Sequence, residues 1–279
     1  MLVEEMMSTE EIMKLALEMA CFKEIPADTA VHVVGRNIRK ILFGIEAGVP
    51  ELLLARQLRC DAVISHHPQG GSAAINFSRV FGRHVQQMVE AGVPLKEAEQ
   101  AVIRKQRALE VEMHSRNYDH AVSVARLMKM PYMSIHSPLD EIGRRRMMEQ
   151  VRQATEKNPR AMVKDAVAAL LRLPEFKNAQ TEIKIRLGKT STKAGKVVVS
   201  HGAGTNAGYE VTKTYFKHGV STVICIHIGS ADLELLRKDN VGNLVVAGHI
   251  ASDSVGINPF ISALEERGVA VLRIGIIQP

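Results

Sequence analysis

The chain has 279 residues, of which 46% are hydrophobic, 24% charged and only 4% aromatic, and it has no tryptophan. Such a balance fits a globular protein of one large or two modest domains with an aliphatic core, and it argues against the ring platforms that stack single-stranded nucleic acid. A formal net charge of +6 suits an anionic ligand or nucleic acid, but it equally suits a solubilising surface, so charge alone assigns no partner.

At the N-terminus, Ser8 with Glu11 three residues on predicts a capped helix reaching about Phe22. This opening segment is acidic and amphipathic, without a basic leader, and no apolar run approaches the roughly 18 residues a membrane span requires. A cytoplasmic protein is expected. The cysteines, Cys21, Cys60 and Cys225, lie far apart and read as buried free thiols. TAVHVVG (29–35) and KILFGI (40–45) are β-branched runs and predict strands. VPELLLARQL (49–58) has helical spacing, and DAVISHH (61–67) predicts a buried strand ending in two adjacent histidines. Such β-α-β alternation predicts a parallel sheet.

From about 73 to 130 the pattern is helical. Within it, EAEQAVIRKQRALEVEMHSR (97–116) carries charges at helical spacing and predicts a solvated helix or helical hairpin. MPYMSIHS (130–137) returns to strand, and helices follow over 140–157 and 161–171, separated by Asn158-Pro159. The second half restarts with a strand over 181–187. GKVVVSHGAG opens from a strand into a glycine-bearing turn, and a helix is expected over roughly 207–218. Strands are expected over 221–229 and 243–250, with a helix through ADLELLRK between them. A last helix runs to about Arg267, with Pro259 as a potential kink, and GVAVLRIGII closes the sheet.

Ligands of open α/β sheets bind beyond the carboxyl ends of the strands. Four segments put metal-competent residues there: SHHP (65–68), IHSPLD (135–140), VSHGAG (199–204) and AGHIASD (247–253). A lone histidine at a strand end is usually structural. The pair His66-His67 is harder to explain that way. Neighbours within a strand point to opposite faces, so both serve one site only where the strand has ended and the chain turns. Imidazole with carboxylate suits Zn, Fe, Mn or Co, and a pair of such ions is the usual arrangement for hydrolysis.

In that order and at that separation, DAVISHHP, SIHSPLDEIG and LVVAGHIASDSVGI resemble the Nif-three-like family, whose members are also described as type 2 GTP cyclohydrolase homologues. The resemblance covers roughly residues 38–278. It implies a two-lobed α/β fold with mixed, largely parallel sheets flanked by helices, and a dinuclear metal centre in a cleft between the lobes. It also implies a ring-shaped homohexamer. The N-terminal lobe is expected over 1–180, with a helical insertion at about 92–130, and the C-terminal lobe over 181–279. His66, His67, Asp140, His249 and Asp253 fall on the family's metal ligands and imply two divalent cations per chain. Asp253 stands where the family usually has Glu, one methylene longer. His136 matches a histidine beside the metals and is the candidate catalytic residue, as a ligand, an orienter or a proton carrier. Other departures are the missing Trp, the segment Leu42-Phe43-Gly44-Ile45-Glu46 near a Leu-Asp motif, and Gln69-Gly70-Gly71 after the HHP.

Weaker signals stand beside these. Gly202-Ala203-Gly204 is a tight turn or a phosphate loop, and His201 and His227 are strand-end residues that can line the site. Arg144-Arg145-Arg146 reads as a solvated helix face, the GKTSTKAGK segment (188–196) as a basic loop, and His84, His114, His120 and His218 receive no role. The expected function is a metal-dependent hydrolase acting through a metal-bound hydroxide on a small anionic, nucleotide-like or phosphoester substrate. The alternative is a metal-stabilised, non-enzymatic module that contacts nucleic acid or a protein partner.

Overall fold

The structure is a computed structural model that describes residues 6–156 and 158–279. Its chain divides into two compact units. The first comprises the described residues up to Val80, Leu109–Ile142 and Gly256–Ile276; the second comprises Phe81–Ala108, Gly143–Val255 and Ile277–Pro279.

The elements follow the hydrophobic pattern. Helix α1 (Thr9–Ala20) starts at Ser8, whose hydroxyl accepts from Glu11 N–H while the Glu11 carboxylate accepts from Ser8 N–H. After α1 come β1 (Ala30–Val33), β2 (Lys40–Gly44), α2 (Val49–Gln57) and β3 (Ala62–Ser65). The largely helical stretch comprises α3 (Gly71–Ile75), α4 (Phe77–Val80), α5 (Arg83–Glu90), α6 (Leu95–His114) and α7 (His120–Met128). Strand β4 (Tyr132–Ser134) leads into α8 (Ser137–Thr155), then α9 (Val163–Leu170) and α10 (Pro174–Lys177). The rest is β5 (Lys184–Leu187), β6 (Val197–Ser200), α11 (Gly208–Lys217), β7 (Thr222–Cys225), α12 (Ser230–Asp239), β8 (Asn243–Val246), α13 (His249–Glu265) and β9 (Ala270–Ile274).

In the first unit the sheet order is β1-β4-β3-β2-β9. All neighbours are parallel except β1, which runs antiparallel to β4. Both faces are covered, which is why its strands read as continuous apolar runs. Alternate side chains go to opposite layers. Ile41, Phe43, Ala62 and Ile64 pack with α1 and the Ile257–Leu264 stretch of α13. Leu42, Val63 and Tyr132 pack with α2 and α7. Phe43 and Phe260 meet edge to face, with ring centroids 6.2 Å apart, a geometry worth about 0.5–1.5 kcal/mol beyond area burial. In the second unit the order is β5-β8-β7-β6, again parallel except for the edge strand β5. Val199, Ile224 and Val245 pack against Met147, Val151, Val163, Ala166 and Val255. The mixed, largely parallel sheets flanked by helices match the expected fold class.

Some details differ from the sequence reading. Cys60 and Cys225 are buried thiols, but Cys21 is exposed, because it caps α1 in the left-handed conformation and so lies beyond the helix's buried stripe. Of the two readings for 97–116, the single helix holds, as α6 runs unbroken over Leu95–His114. Helix α8 begins at Ser137, three residues early, so Asp140 sits in its first turn. The strand expected over 243–250 ends at Val246; Gly248, with φ +108°, turns the chain and α13 starts at His249. Pro259 lies inside α13 without ending it. The expected helix end at Lys157 falls outside the described residues.

Candidate metal centre

In the first unit, strand register builds the site. Gly44, Ser65 and Ser134 are register partners at the carboxyl ends of β2, β3 and β4. Two residues beyond them stand Glu46, His67 and His136. His66 stands one residue beyond β3, and the parallel bonding continues past the strands, with His66 N–H donating to Gly44 O and His67 N–H to Ile45 O. Gly44 allows this turn, because a Cβ there would lie 2.6 Å from Glu46 O. Ser65 secures it further by donating to His67 O at 2.7 Å and accepting from Ala47 N–H at 3.0 Å.

The three imidazoles are mutually close. Ring centroids are 5.0 Å apart for His66–His67, 4.8 Å for His66–His136 and 5.4 Å for His67–His136. One ring nitrogen of each lies within 4.8 Å of the others. The partner of each Nδ1 fixes its proton. His66 Nδ1 is 3.0 Å from Ile135 O, a carbonyl that can only accept. His67 Nδ1 is 2.7 Å from the Glu46 carboxylate, and His136 Nδ1 is 2.8 Å from the buried Asp28 carboxylate. All three Nδ1 atoms therefore donate, and in the neutral tautomer of each ring the lone pair lies on Nε2. Asp28 is itself held, accepting from Ser137 Oγ at 2.7 Å and from Thr29 Oγ1 at 3.3 Å.

Asp140 approaches this cluster from the first turn of α8. Its Oδ1 is 3.1 Å from His66 Nε2, and its Oδ2 is 3.5 Å from His136 Nε2. A carboxylate oxygen facing a lone-pair nitrogen inside a protein is repulsive unless a cation or a shared proton lies between them. This donor set, imidazoles oriented by oxygen acceptors with a buried carboxylate beside them, fits a divalent transition metal.

The second unit repeats the register device. Ser200, Cys225 and Val246 are partners at the ends of β6, β7 and β8. His201 follows one residue on, His227 two residues on, and His249 three residues on, at the start of α13. His249 Nε2 is 3.4 Å from Asp253 Oδ2, one helical turn away; the histidine is 41% exposed and the aspartate 1%. The His227 ring lies 4.5 Å from that of His249. Burial pushes the His227 pKa from 6.5 down to about 4, and the neighbouring His249 adds to the shift. His84 is pushed to about 3 by complete burial, with Lys105, Arg83 and His201 nearby. Lys105 is lowered by burial, opposed by the Asp232 carboxylate.

A solved NIF3 superfamily protein from Sphaerobacter thermophilus is 50% identical to this chain, covering 96% of this chain and 98% of the other, with a TM-score of 0.95. The chain belongs to the NIF3 superfamily. At identities that carry the fold alone, reduced HcgD from Methanocaldococcus jannaschii is 12% identical over 96% of this chain and 99% of its own, with a TM-score of 0.58. The Staphylococcus aureus hypothetical protein SA1388 is 11% identical over 98% of each chain, with a TM-score of 0.55. No family model matches the chain, and no curated protein does either.

Within this NIF3 superfamily chain, the candidate residues fall into two groups. His66, His67, His136 and Asp140 come together in the first unit, and His249 and Asp253 in the second. His201 is buried, and its carbonyl accepts from Gln87 Nε2 at 2.5 Å. Residues without a role in the sequence reading act beside them: Asp28 holds His136, and Lys105 and Asn206 hold His227 next to His249. Glu46 lay within a segment compared with a Leu-Asp motif, so its carboxylate was a visible signal. Among the described residues, no helix is long and apolar enough to cross a membrane.

Proposed function

We propose that this chain binds two divalent metal ions through His66, His67 and Asp140 of the first unit and His249 and Asp253 of the second, and that it hydrolyses a nucleotide-like or phosphoester substrate. The observation that carries this reading is the convergence of three imidazoles, one ring nitrogen of each within 4.8 Å of the others, with each Nδ1 oriented by an oxygen acceptor and the buried Asp140 carboxylate beside the Nε2 atoms of His66 and His136. Two such cations, when bound, lower the pKa of water toward neutrality and stabilise a leaving oxygen. Asp140 balances their charge from the first turn of α8. Glu46 orients His67. His136, its Nδ1–H held by Asp28, takes up or releases a proton at Nε2. Asp253, one methylene shorter than glutamate, lies one turn after His249 in α13, its Oδ2 3.4 Å from His249 Nε2. The net charge of +6 favours an anionic substrate. The same resemblance supports a ring-shaped homohexamer.

Elemental analysis of wild type and of a His66→Ala/His67→Ala variant tests this reading. About two metals per chain are expected in wild type after supplementation and fewer than one in the variant, with hydrolysis of phosphoesters lost in His67→Ala. Less than one metal per wild-type chain would overturn the proposal. Salt-sensitive nucleic-acid binding that His67→Ala leaves unchanged would favour the non-enzymatic reading.

A further inference from the structure

Lys105 lies on α6, and its ammonium donates both to the carbonyl of Asn206 and to its side-chain Oδ1, each at 2.7 Å. An ammonium can only donate, so this contact fixes the amide with oxygen toward Lys105 and nitrogen away from it. On the far side, Asn206 Nδ2 is 3.3 Å from His227 Nδ1. An amide nitrogen also only donates, so His227 Nδ1 must accept. The ring is therefore neutral and bears its proton on Nε2. A cation sets an amide, and the amide sets a tautomer.

From this chain of contacts we infer that His227 is a neutral Nε2–H donor that binds an anionic oxygen of the substrate beside His249, and that Lys105 and Asn206 are positioning residues that hold it in that form. The opposite role, a third imidazole ligand, is closed to it. Nδ1 has spent its lone pair on Asn206, and ligation through Nε2 would demand loss of the ring's remaining proton. The setting is suited to an anion. Lys105 supplies positive charge one amide away and faces Asp232 as its counter-ion, and His227 is half-buried, so its N–H is reachable while partly shielded from water. Among the strand-end histidines, His67 and His136 occupy the same position two residues past their strands, yet carry the opposite tautomer, because carboxylates hold their Nδ1 atoms. The ligand class is a phosphate or another oxyanion. The inference rests on the proposed metal centre only for the identity of its neighbour His249.

The test is long-range nitrogen NMR of the histidines in zinc-loaded protein, together with binding of inorganic phosphate. His227 is expected to show a protonated Nε2 and an unprotonated Nδ1 in wild type, and Asn206→Asp, which turns the partner into an acceptor, is expected to reverse them. Phosphate affinity should fall about tenfold in His227→Leu, the loss of one hydrogen bond to a charged group. His227→Gln, which keeps an N–H donor, should recover most of it, and zinc content should stay unchanged in both. A protonated Nδ1 in wild type would overturn the inference without any variant being needed. So would phosphate binding that ignores His227→Leu. If wild type takes up no zinc but His227 keeps its Nε2 proton and its hold on phosphate, the metal proposal fails and this one stands.

Discussion

The two units use one construction for different chemistry. Each sheet aligns three parallel strand ends, and each places histidines one to three residues beyond them. In the first unit the imidazoles lean on a carbonyl and two carboxylates, so their Nδ1 atoms donate. In the second unit, His227 leans on an amide held by Lys105, so it presents a proton, while His84, its Nε2 3.1 Å from the carbonyl of Thr205, is driven deep into the neutral form by burial. Residue type and strand position are therefore poor guides to what a histidine does. The atom on the far side of its ring decides.

The comparison breaks most completely at His66. His66→Ala removes the ring between Ile135 O and Asp140, and metal uptake measured by calorimetry should disappear. The variant should also lose about 1–3 kcal/mol of folding stability through the buried carbonyl left without its donor, which thermal unfolding of metal-free protein reports. A retained metal stoichiometry would remove His66 from the ligand set.

Next in size is Asp28→Asn. The buried carboxylate fixes His136 by its charge and acceptor character, and an amide there can turn its nitrogen toward the ring and invert the tautomer, as Asn206 does for His227. Losing such an orienting carboxylate costs roughly 10–100-fold in metal affinity or activity. An effect on stability alone would make Asp28 merely structural. Glu46→Gln sharpens the same point at an exposed position. Glu46 is 68% exposed, so water can replace much of its contact, and the loss should be smaller than for Asp28→Asn.

The smallest effect is a pH slope to which both units contribute. His84 is lowered from 6.5 to about 3, and His32 and His227 from 6.5 to about 4, each mainly by burial. Below pH 6.5 the unfolded chain takes protons that the folded chain refuses until pH 3–4, so stability falls as pH drops through that window. His84 contributes a slope of up to about 1.4 kcal/mol per pH unit. Denaturant unfolding of metal-free protein between pH 4 and 7 should therefore flatten in His84→Gln; an unchanged slope would show that His84 is protonated in the folded state.

Periodicity along the chain was enough to mark most strands and helices, because burial on both faces of a parallel sheet demands continuous apolar runs, and the core helices demand an apolar stripe. It also marked the strand-end histidines and, through three short motifs, the family. What it missed was small in sequence and large in consequence. Gly248 turned the end of the strand predicted over 243–250 into a helix start, and Ser137 moved Asp140 into a first turn, each through a local backbone choice that hydropathy does not register.

Tertiary structure alone decided the rest. Ala270–Ile274 could have extended the sheet nearest to it in sequence, yet it pairs with β2 at the other end of the chain. His136 meets Asp28 from 108 residues away, and Lys105 meets Asn206 from 101. Hydrophobic spacing is a property of neighbours in sequence, whereas the proton on an imidazole is set by whichever donor or acceptor the fold brings to its other nitrogen.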